Sequence, residues 1–246
     1  MEPDDFPPIH CIEGCQSLSS PRTVLIEMIE GVRYACATDE IMKSLYCILW
    51  ESEGKLLRLV GADGFRLSLS EQDIFNTEAL PEFEDFRFLV SLKAMKELLN
   101  YLKEIKDDVV TLVYDGKRLC LGNESHRLLV RLMDYDYPDY RRVIPKTAKT
   151  KVVLDREEFL KKLRFVYVTT RTSGESVRFI FTDNELQMLA RASDRGEADV
   201  EMAVQKEGND LQIAFNPQFV IESVKHARQP KLELRFLDES SPMQIN

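Results

Sequence analysis

Long hydrophobic runs and paired cysteines are missing from this 246-residue sequence. No apolar stretch approaches the roughly 20 residues that span a bilayer, so no membrane-spanning helix is predicted. The acidic N-terminus, MEPDD, has neither the positive nor the apolar region of a signal peptide. The 5 cysteines stand apart without a CxxC pair, which predicts reduced thiols in a cytoplasmic protein.

Catalytic and metal-binding patterns are also missing. The sequence contains no P-loop, GxGxxG, HExxH or GxSxG pattern, and its carboxylates form no recognisable acid/base pair. His10, Cys11 and Cys15 resemble metal ligands, but their spacing fits no common zinc site and a fourth ligand is missing. We therefore expect a protein that is not an enzyme and that binds no metal or other cofactor.

One structural unit recurs four times along the chain: a strand, a helix-capping residue, an amphipathic helix and further strands joined by turns. The predicted caps are Ser20, Ser91, Asp155 and Asn216. The unit is therefore β-α-β-β-β, although the fourth copy stops after the segments 231–237 and 243–246 without a final strand. Two copies precede the centre of the chain and two follow it, which predicts an α+β fold of two domains, each made of two units.

A connector, residues 134–145 with the sequence DYDYPDYRRVIP, joins the two halves of the chain. Its prolines and aspartates disfavour a helix or a central strand, whereas its tyrosines disfavour a disordered linker because they favour packing against a partner. We predict an ordered, extended crossover. The predicted domains are residues 1–143 and 144–246.

Positive charge is concentrated in the four predicted helices, residues 22–36, 92–106, 156–171 and 217–229. They carry 13 Lys and Arg against 7 Asp and Glu, a net charge of +6, which leaves −15 on the rest of a chain whose net charge is −9. A row of basic helices suits a surface that holds duplex DNA by its phosphates. The alternative is that these are ordinary solvated helix faces, which carry lysine in any soluble protein. The residues predicted to face DNA are Arg33, Lys93, Lys96, Lys103, Lys161, Arg164, Lys225 and Arg228.

Three motifs resemble one family. The hairpin sequence LVGADGFRL at 59–67, the connector sequence YPDYRRVIP at 137–145 and the pair Phe215-Asn216 are similar, in order and spacing, to motifs of the bacterial DNA polymerase III beta subunit, the sliding clamp. The resemblance covers nearly the whole chain and corresponds to the second and third domains of that family. Ala62 stands where the family usually has Thr, and Phe65 stands where His or Tyr is common.

The resemblance implies a DNA-clamp fold, with helices on one face and sheets on the other, and a partner-binding pocket between the two domains. Such a pocket would bind a short extended peptide with Leu or Phe anchors. Ala62 and Phe65 would make it more apolar than is usual in the family. The pocket residues implied by motif position are Leu45, Ala62, Gly64, Phe65, Arg66, Leu67, Pro138, Arg142, Val143, Asn216 and Phe219.

The function implied by the resemblance is that of a processivity factor in the bacterial cytoplasm, at the nucleoid. Its partners would be duplex DNA, the replicative DNA polymerase, the clamp loader and other proteins with clamp-binding motifs. A ring of six such domains would need three copies of a two-domain chain. We expect mainly monomer or weak self-association, with a trimeric ring as the minor form. The alternative is a shortened clamp that binds such peptides without encircling DNA.

Overall fold

The computed structural model describes residues 16–54, 56–73, 85–122, 126–170, 176–192 and 196–246. The chain divides into two compact units between Pro138 and Asp139, inside the connector. The predicted domain boundary after Val143 stays a prediction. No helix of the described residues is long and apolar enough to cross a membrane.

Each of the four predicted helices is present, and the described part of each ends at most three residues before its predicted end. The helices are α1 (Arg22–Arg33), α2 (Leu92–Glu104), α3 (Arg156–Thr170) and α4 (Pro217–His226). Ile105 and Ala227, which follow α2 and α4, have extended backbones, so these two helices stop there.

Three of the predicted caps are confirmed. The Ser91 hydroxyl accepts from the Ala94 N–H, the Asp155 carboxylate from the Glu158 N–H, and the Asn216 side chain from the Gln218 N–H. Each side-chain oxygen satisfies a backbone donor that has no partner within the helix.

The predicted cap at Ser20 is wrong. Pro21 occupies the N-cap position, and the Ser20 hydroxyl donates to the Pro21 carbonyl instead of accepting from the helix. The Arg22 N–H at the start of α1 donates to the Asp108 carbonyl at 2.8 Å. The Asp108 carbonyl, which is distant in sequence, therefore accepts from the start of α1, where the sequence pattern predicted that the Ser20 hydroxyl would accept.

The described residues of the first unit form eight strands in two antiparallel sheets, ordered β4-β3-β2-β5 and β1-β6-β7-β8. The strands are β1 (Gln16–Pro21), β2 (Cys47–Glu53), β3 (Leu56–Ala62), β4 (Leu67–Asp73), β5 (Arg87–Ser91), β6 (Val109–Tyr114), β7 (Arg118–Gly122) and β8 (Arg127–Arg131). The first strand of each repeat joins the sheet of the other repeat. This exchange ties the two repeats into one body.

The second unit shows the same exchange, with sheets β12-β11-β10-β14 and β13-β9-β15-β16. Its strands are β9 (Thr150–Asp155), β10 (Val177–Thr182), β11 (Glu185–Ala192), β12 (Gly196–Ala203), β13 (Gln205–Gly208), β14 (Leu211–Phe215), β15 (Lys231–Phe236) and β16 (Gln244–Ile245). The sequence patterns did not predict β13. The short strand β16 lies at an edge of its sheet.

A single apolar core fills each unit between the helix pair and the sheets. In the first unit, α1 packs beside α2, and Leu25, Leu98 and Trp50 are fully buried. In the second unit, α3 packs beside α4, and Phe159 and Phe179 are fully buried. The buried stripe of each helix leaves the opposite, polar face exposed, as the periodicity predicted.

Candidate functional site

The turn between β3 and β4, residues Asp63-Gly64-Phe65-Arg66, is organised by one carboxylate. Oδ1 of Asp63 accepts from the backbone N–H groups of Phe65 and Arg66 at 2.9 and 3.0 Å, and Oδ2 accepts from the Arg66 Nε at 3.1 Å. Gly64 has a φ of +91°, in the left-handed region that glycine adopts without strain. The conformation of the turn is therefore fixed by the Asp63 carboxylate, the left-handed backbone of Gly64 and the Arg66 side chain.

This turn projects one aromatic ring into solvent and holds one cation against the protein. The Phe65 side chain is 82% exposed. The Arg66 side chain is only 16% exposed, and its guanidinium lies over the Tyr34 ring, 5.6 Å from the centroid. The turn therefore holds an exposed Phe beside a fixed Arg, and that these two residues bind a partner stays a prediction.

The base of the hairpin is fixed from behind by the end of α1. A Cβ at Gly61 would lie 2.4 Å from the Val32 carbonyl oxygen and 2.8 Å from the Cys36 Sγ. Only glycine allows this close approach of β3 to α1. Burial raises the pKa of the Cys36 thiol to about 12, so the sulfur beneath the hairpin stays protonated at neutral pH.

Two further segments reach the same hairpin. The Ala37 N–H donates to both the Leu45 and the Ala62 carbonyls, at 3.1 and 3.2 Å, so Leu45 lies beside the end of β3. In the connector, the Tyr137 hydroxyl donates to the Val60 carbonyl at 3.5 Å, which brings the neighbouring Pro138 to this strand. The pocket residues predicted in the first unit therefore lie around one hairpin.

The remaining predicted pocket residues belong to the second unit. Arg142 and Val143 end a short 3-10 turn, and the Arg142 Nε donates to Asp139 at 2.9 Å while its side chain stays 83% exposed. Asn216 caps α4, and Phe219 lies in the first turn of that helix. That these residues form one pocket with the hairpin stays a prediction.

Phe219 corrects one expectation. The spacing of apolar residues in the segment 217–229 predicts that Phe219, Val220 and Val224 are all buried on one helix face, but Phe219 is half-buried and lies outside the core cluster. Val220 and Val224 fill the core instead. A half-buried Phe at the start of a helix is available to a ligand, which suits the pocket role given to it.

All eight residues predicted to face DNA are exposed. Lys103 of α2 is ion-paired, because its Nζ lies 2.6 Å from the Glu30 carboxylate of α1. Arg228 lies two residues beyond the end of α4 rather than within it. The other predicted cations on the helices are Arg33, Lys93, Lys96, Lys161, Arg164 and Lys225.

Sequence reasoning missed Tyr34, the ring under Arg66. Its position at the end of α1 gives no signal, because the contact depends on how α1 packs against a hairpin 30 residues later. The described residues contain no group of three or more His, Cys, Asp or Glu that could hold a metal ion. His10, Cys11 and Cys15 lie outside the described residues.

Comparison with known families matches both units. Residues 20–139 match the central domain of the DNA polymerase III beta subunit, and residues 141–246 match the C-terminal domain of the same subunit. A protein named Beta sliding clamp from Chlamydia pneumoniae is 28% identical over 242 residues, which cover 98% of this chain and 64% of that protein.

Solved structures agree. The crystal structure of the DNA polymerase III beta subunit from Thermotoga maritima is 41% identical, with a TM-score of 0.92, and the match covers 100% of this chain and 65% of that one. The DNA polymerase sliding clamp from Bacillus subtilis, at 21% identity with a TM-score of 0.91 over 100% of this chain and 64% of its own, has the same fold. The predicted fold is confirmed, and the chain spans less than two thirds of the length of these relatives.

Proposed function

The chain belongs to the family of the DNA polymerase III beta subunit, and on that premise we propose that it acts in DNA replication as a sliding clamp. In this role it tethers a DNA polymerase to duplex DNA and binds partner proteins through short peptides. The proposed partners are the replicative DNA polymerase, the clamp loader and other proteins with clamp-binding motifs. A place in the bacterial cytoplasm, at the nucleoid, stays a prediction.

The observation that carries the proposal is the hairpin at Asp63. Phe65 is 82% exposed beside an immobilised Arg66, and aromatic and arginine side chains are enriched among the residues that supply most of the binding energy of protein interfaces. Arg142 and Phe219 of the second unit add a guanidinium that is 83% exposed and a half-buried ring. Residues of these two types suit a peptide with Leu or Phe anchors and an acidic or carbonyl group for the Arg.

The experiment uses a peptide with Leu and Phe anchors and the double variant Arg142→Ala with Phe219→Ala. We expect binding to fall below detection while the melting temperature stays nearly unchanged, because neither side chain belongs to the core. Lys231→Ala, another exposed residue of the second unit, is the matched control and leaves the affinity within about twofold. Parent-like affinity of the double variant would show that the second unit takes no part in peptide binding.

The proposed contact with duplex DNA comes from the exposed cations of the helices and is independent of base sequence. Affinity should fall steeply as salt rises, and Lys93→Gln with Lys96→Gln should lower both the affinity and the salt slope. A strong preference for one base sequence would contradict this proposal, because such preference needs side chains that read base edges.

The solution mass separates encircling DNA from the alternative role. A stable species of three times the 28.5 kDa chain mass would support a closed ring of six domains. A monomer that still binds the peptide would support the alternative, a shortened clamp that binds partners without encircling DNA. Sedimentation at micromolar concentration makes the measurement.

A further inference from the structure

One exposed face of α3 combines cations with large apolar side chains. Lys161 and Arg164 are exposed, and so are Phe165 at 67% and Val168 at 64%. We call these four residues the α3 strip. Among the residues that the structure describes, neither Lys161 nor Arg164 has an ion-pair or hydrogen-bond partner.

The acidic residues of α3 do not neutralise the strip. Glu157 pairs with Arg156 at 2.5 Å, and Glu158 pairs with Lys162 at 3.1 Å. Each of these carboxylates is therefore matched by a cation that lies outside the strip. The α3 strip keeps a net positive charge around an exposed aromatic ring.

Helix α1 of the first unit is the structural counterpart of α3. Arg22 and Arg156 begin the two helices, and each donates through Nη1, at 3.2 Å, to a carbonyl at the end of the companion helix, Leu102 in one case and Ala227 in the other. With these arginines aligned, three of the four buried residues of each helix also coincide, at the pairs Leu25 and Phe159, Ile29 and Leu163, and Val32 and Val166.

In this register three of the four strip residues have no counterpart on α1, and the fourth, Val168, aligns with Tyr34, which follows α1. Glu27 and Glu30 stand where α3 has Lys161 and Arg164, and Gly31 stands where α3 has Phe165. The same fold therefore forms with a small residue at the position of Phe165 and with opposite charge beside it. Packing does not explain the strip, so a ligand of this face is the better physical reason for it.

We infer that the α3 strip binds single-stranded DNA, with the Phe165 ring stacked on an unpaired base and with Lys161 and Arg164 on the neighbouring phosphates. Proteins that bind single strands combine cations that follow the phosphates with aromatic rings on which bases stack. Duplex DNA satisfies the cations but keeps its bases stacked on one another, so it offers no base face to Phe165. This inference rests on the proposed function for its assignment of the basic helix faces to DNA.

The strip is short. From Lys161 to Val168 the helix rises roughly 10 Å, so it covers few nucleotides and binds them weakly. Lys161 and Phe165 are four residues apart and therefore neighbours on the helix surface. Stacking on the ring and pairing at the cation thus act on one nucleotide or on two adjacent ones.

The test titrates the full chain with a labelled oligothymidine and, separately, with a labelled duplex of the same length, by fluorescence anisotropy at low salt. Three substitutions separate stacking from apolar contact: Phe165→Ala, Phe165→Leu and Phe165→Trp. Ile41→Ala is the control, because Ile41 is an apolar side chain of the first unit that is 84% exposed and lies outside both the α3 strip and the predicted peptide pocket. Melting temperatures confirm that each variant is folded.

We expect Phe165→Ala and Phe165→Leu to weaken oligothymidine binding at least about fivefold, Phe165→Trp to retain it, and Ile41→Ala to leave it within about twofold. Duplex binding should change less than about twofold in all of them. The inference is overturned if the parent binds no oligothymidine, if Phe165→Leu binds like the parent, or if the loss is the same for duplex and single strand. Parent-like binding by Phe165→Leu would instead indicate an apolar protein partner.

The duplex measurements keep this inference separate from the proposed function. Loss of duplex binding in Lys93→Gln with Lys96→Gln supports the basic helix faces as a DNA surface, whatever Phe165 does. If the parent binds duplex DNA but the Phe165 substitutions leave the oligothymidine affinity unchanged, only the inference that the α3 strip binds single-stranded DNA is overturned. Absence of duplex binding at low salt overturns the proposed contact with DNA.

Discussion

Two turns of the first unit, at Asp63 and at Asp115, have the same local chemistry. Oδ1 of Asp115 accepts from the N–H groups of Lys117 and Arg118 at 2.9 and 2.6 Å, and Oδ2 accepts from the Arg118 Nε at 2.8 Å. Gly116 has a φ of +88°, against +91° at Gly64. The four-residue pattern Asp-Gly-x-Arg therefore builds the same turn twice, once between β3 and β4 and once between β6 and β7.

The surroundings of the two turns differ. Arg66 is packed over Tyr34 and its side chain is 16% exposed, whereas the Arg118 side chain is 40% exposed. The third position is Phe65 in one turn and Lys117 in the other, and both are exposed. A local pattern thus fixes the turn, while tertiary packing and one exposed side chain decide whether the turn is a candidate binding site.

The largest effect should come from the close contact behind the first turn. Gly61→Ala places a Cβ against the Val32 carbonyl, which cannot move aside, and should cost roughly 3 kcal/mol of unfolding free energy. Urea denaturation measures the loss. Val113, at the equivalent position before the second turn, already has a side chain, so only the first turn requires glycine there.

Gly31→Ala is the control for that prediction. No atom lies within 4 Å of a Cβ at Gly31, so the substitution should be neutral or slightly stabilising. A Gly61→Ala variant as stable as Gly31→Ala would contradict the fixed position of β3 against α1.

The shared carboxylate should matter equally in both turns. Asp63→Ala and Asp115→Ala each remove the acceptor of two backbone N–H groups and one guanidinium, which should cost about 2 kcal/mol. Asp63→Asn keeps one oxygen acceptor and should therefore lose less unfolding free energy than Asp63→Ala. Unequal losses, differing by more than about 1 kcal/mol, would contradict the view that the two turns are locally equivalent.

Substitution of the arginine should destabilise the protein more at the first turn than at the second. Arg66→Ala loses packing over Tyr34 as well as an ion pair and should cost about 1 kcal/mol, whereas Arg118→Ala should cost about half as much. Thermal unfolding of both variants measures the difference. An Arg118→Ala loss as large as that of Arg66→Ala would show that Tyr34 adds nothing.

The smallest effect concerns pH at the second turn. Desolvation raises the pKa of Asp115, but hydrogen bonds from the Lys117 and Arg118 N–H groups and from the Arg118 side chain outweigh it and hold the pKa below its usual value. A lowered folded-state pKa gives stability that is complete above the unfolded-state pKa of about 3.9 and is lost as the pH falls through the folded-state pKa.

The melting temperature of the parent should therefore exceed that of Asp115→Asn by a constant amount between about pH 5 and pH 7, and the gap should shrink below about pH 4. Calorimetry across this range measures it. A gap that grows as the pH falls would mean that the Asp115 carboxyl is favoured in its protonated form.

The sequence predicted what depends on local patterns. Ser91, Asp155 and Asn216 cap their helices because a side-chain oxygen needs only a neighbouring N–H. The helices predicted as amphipathic do bury one apolar face, which in α2 consists of Met95, Leu98, Leu99 and Leu102. The hairpin at 59–67 followed from Asp-Gly between two apolar strands.

Contacts between residues far apart in the chain could not be predicted from the sequence. The exchange of first strands between repeats could not be predicted from the spacing of the elements, because the residue pattern of a strand is the same whichever sheet it joins. The partner of the Arg22 N–H is a carbonyl more than 80 residues away, and Tyr34 meets Arg66 only once α1 has packed. Strand β13 follows β12 after one residue, so its passage into the other sheet looks like a single strand in sequence.

The most direct test of the account compares Phe65→Ala with Lys117→Ala in binding a peptide with Leu and Phe anchors, by titration calorimetry. Both substitutions remove an exposed side chain from the third position of the same turn, so local structure and stability should be equally preserved. We predict that Phe65→Ala weakens the affinity for the peptide at least about tenfold, or roughly 1.4 kcal/mol, and that Lys117→Ala changes this affinity less than about twofold. Equal effects of the two substitutions would contradict the assignment of the Asp63 hairpin as the partner-binding site.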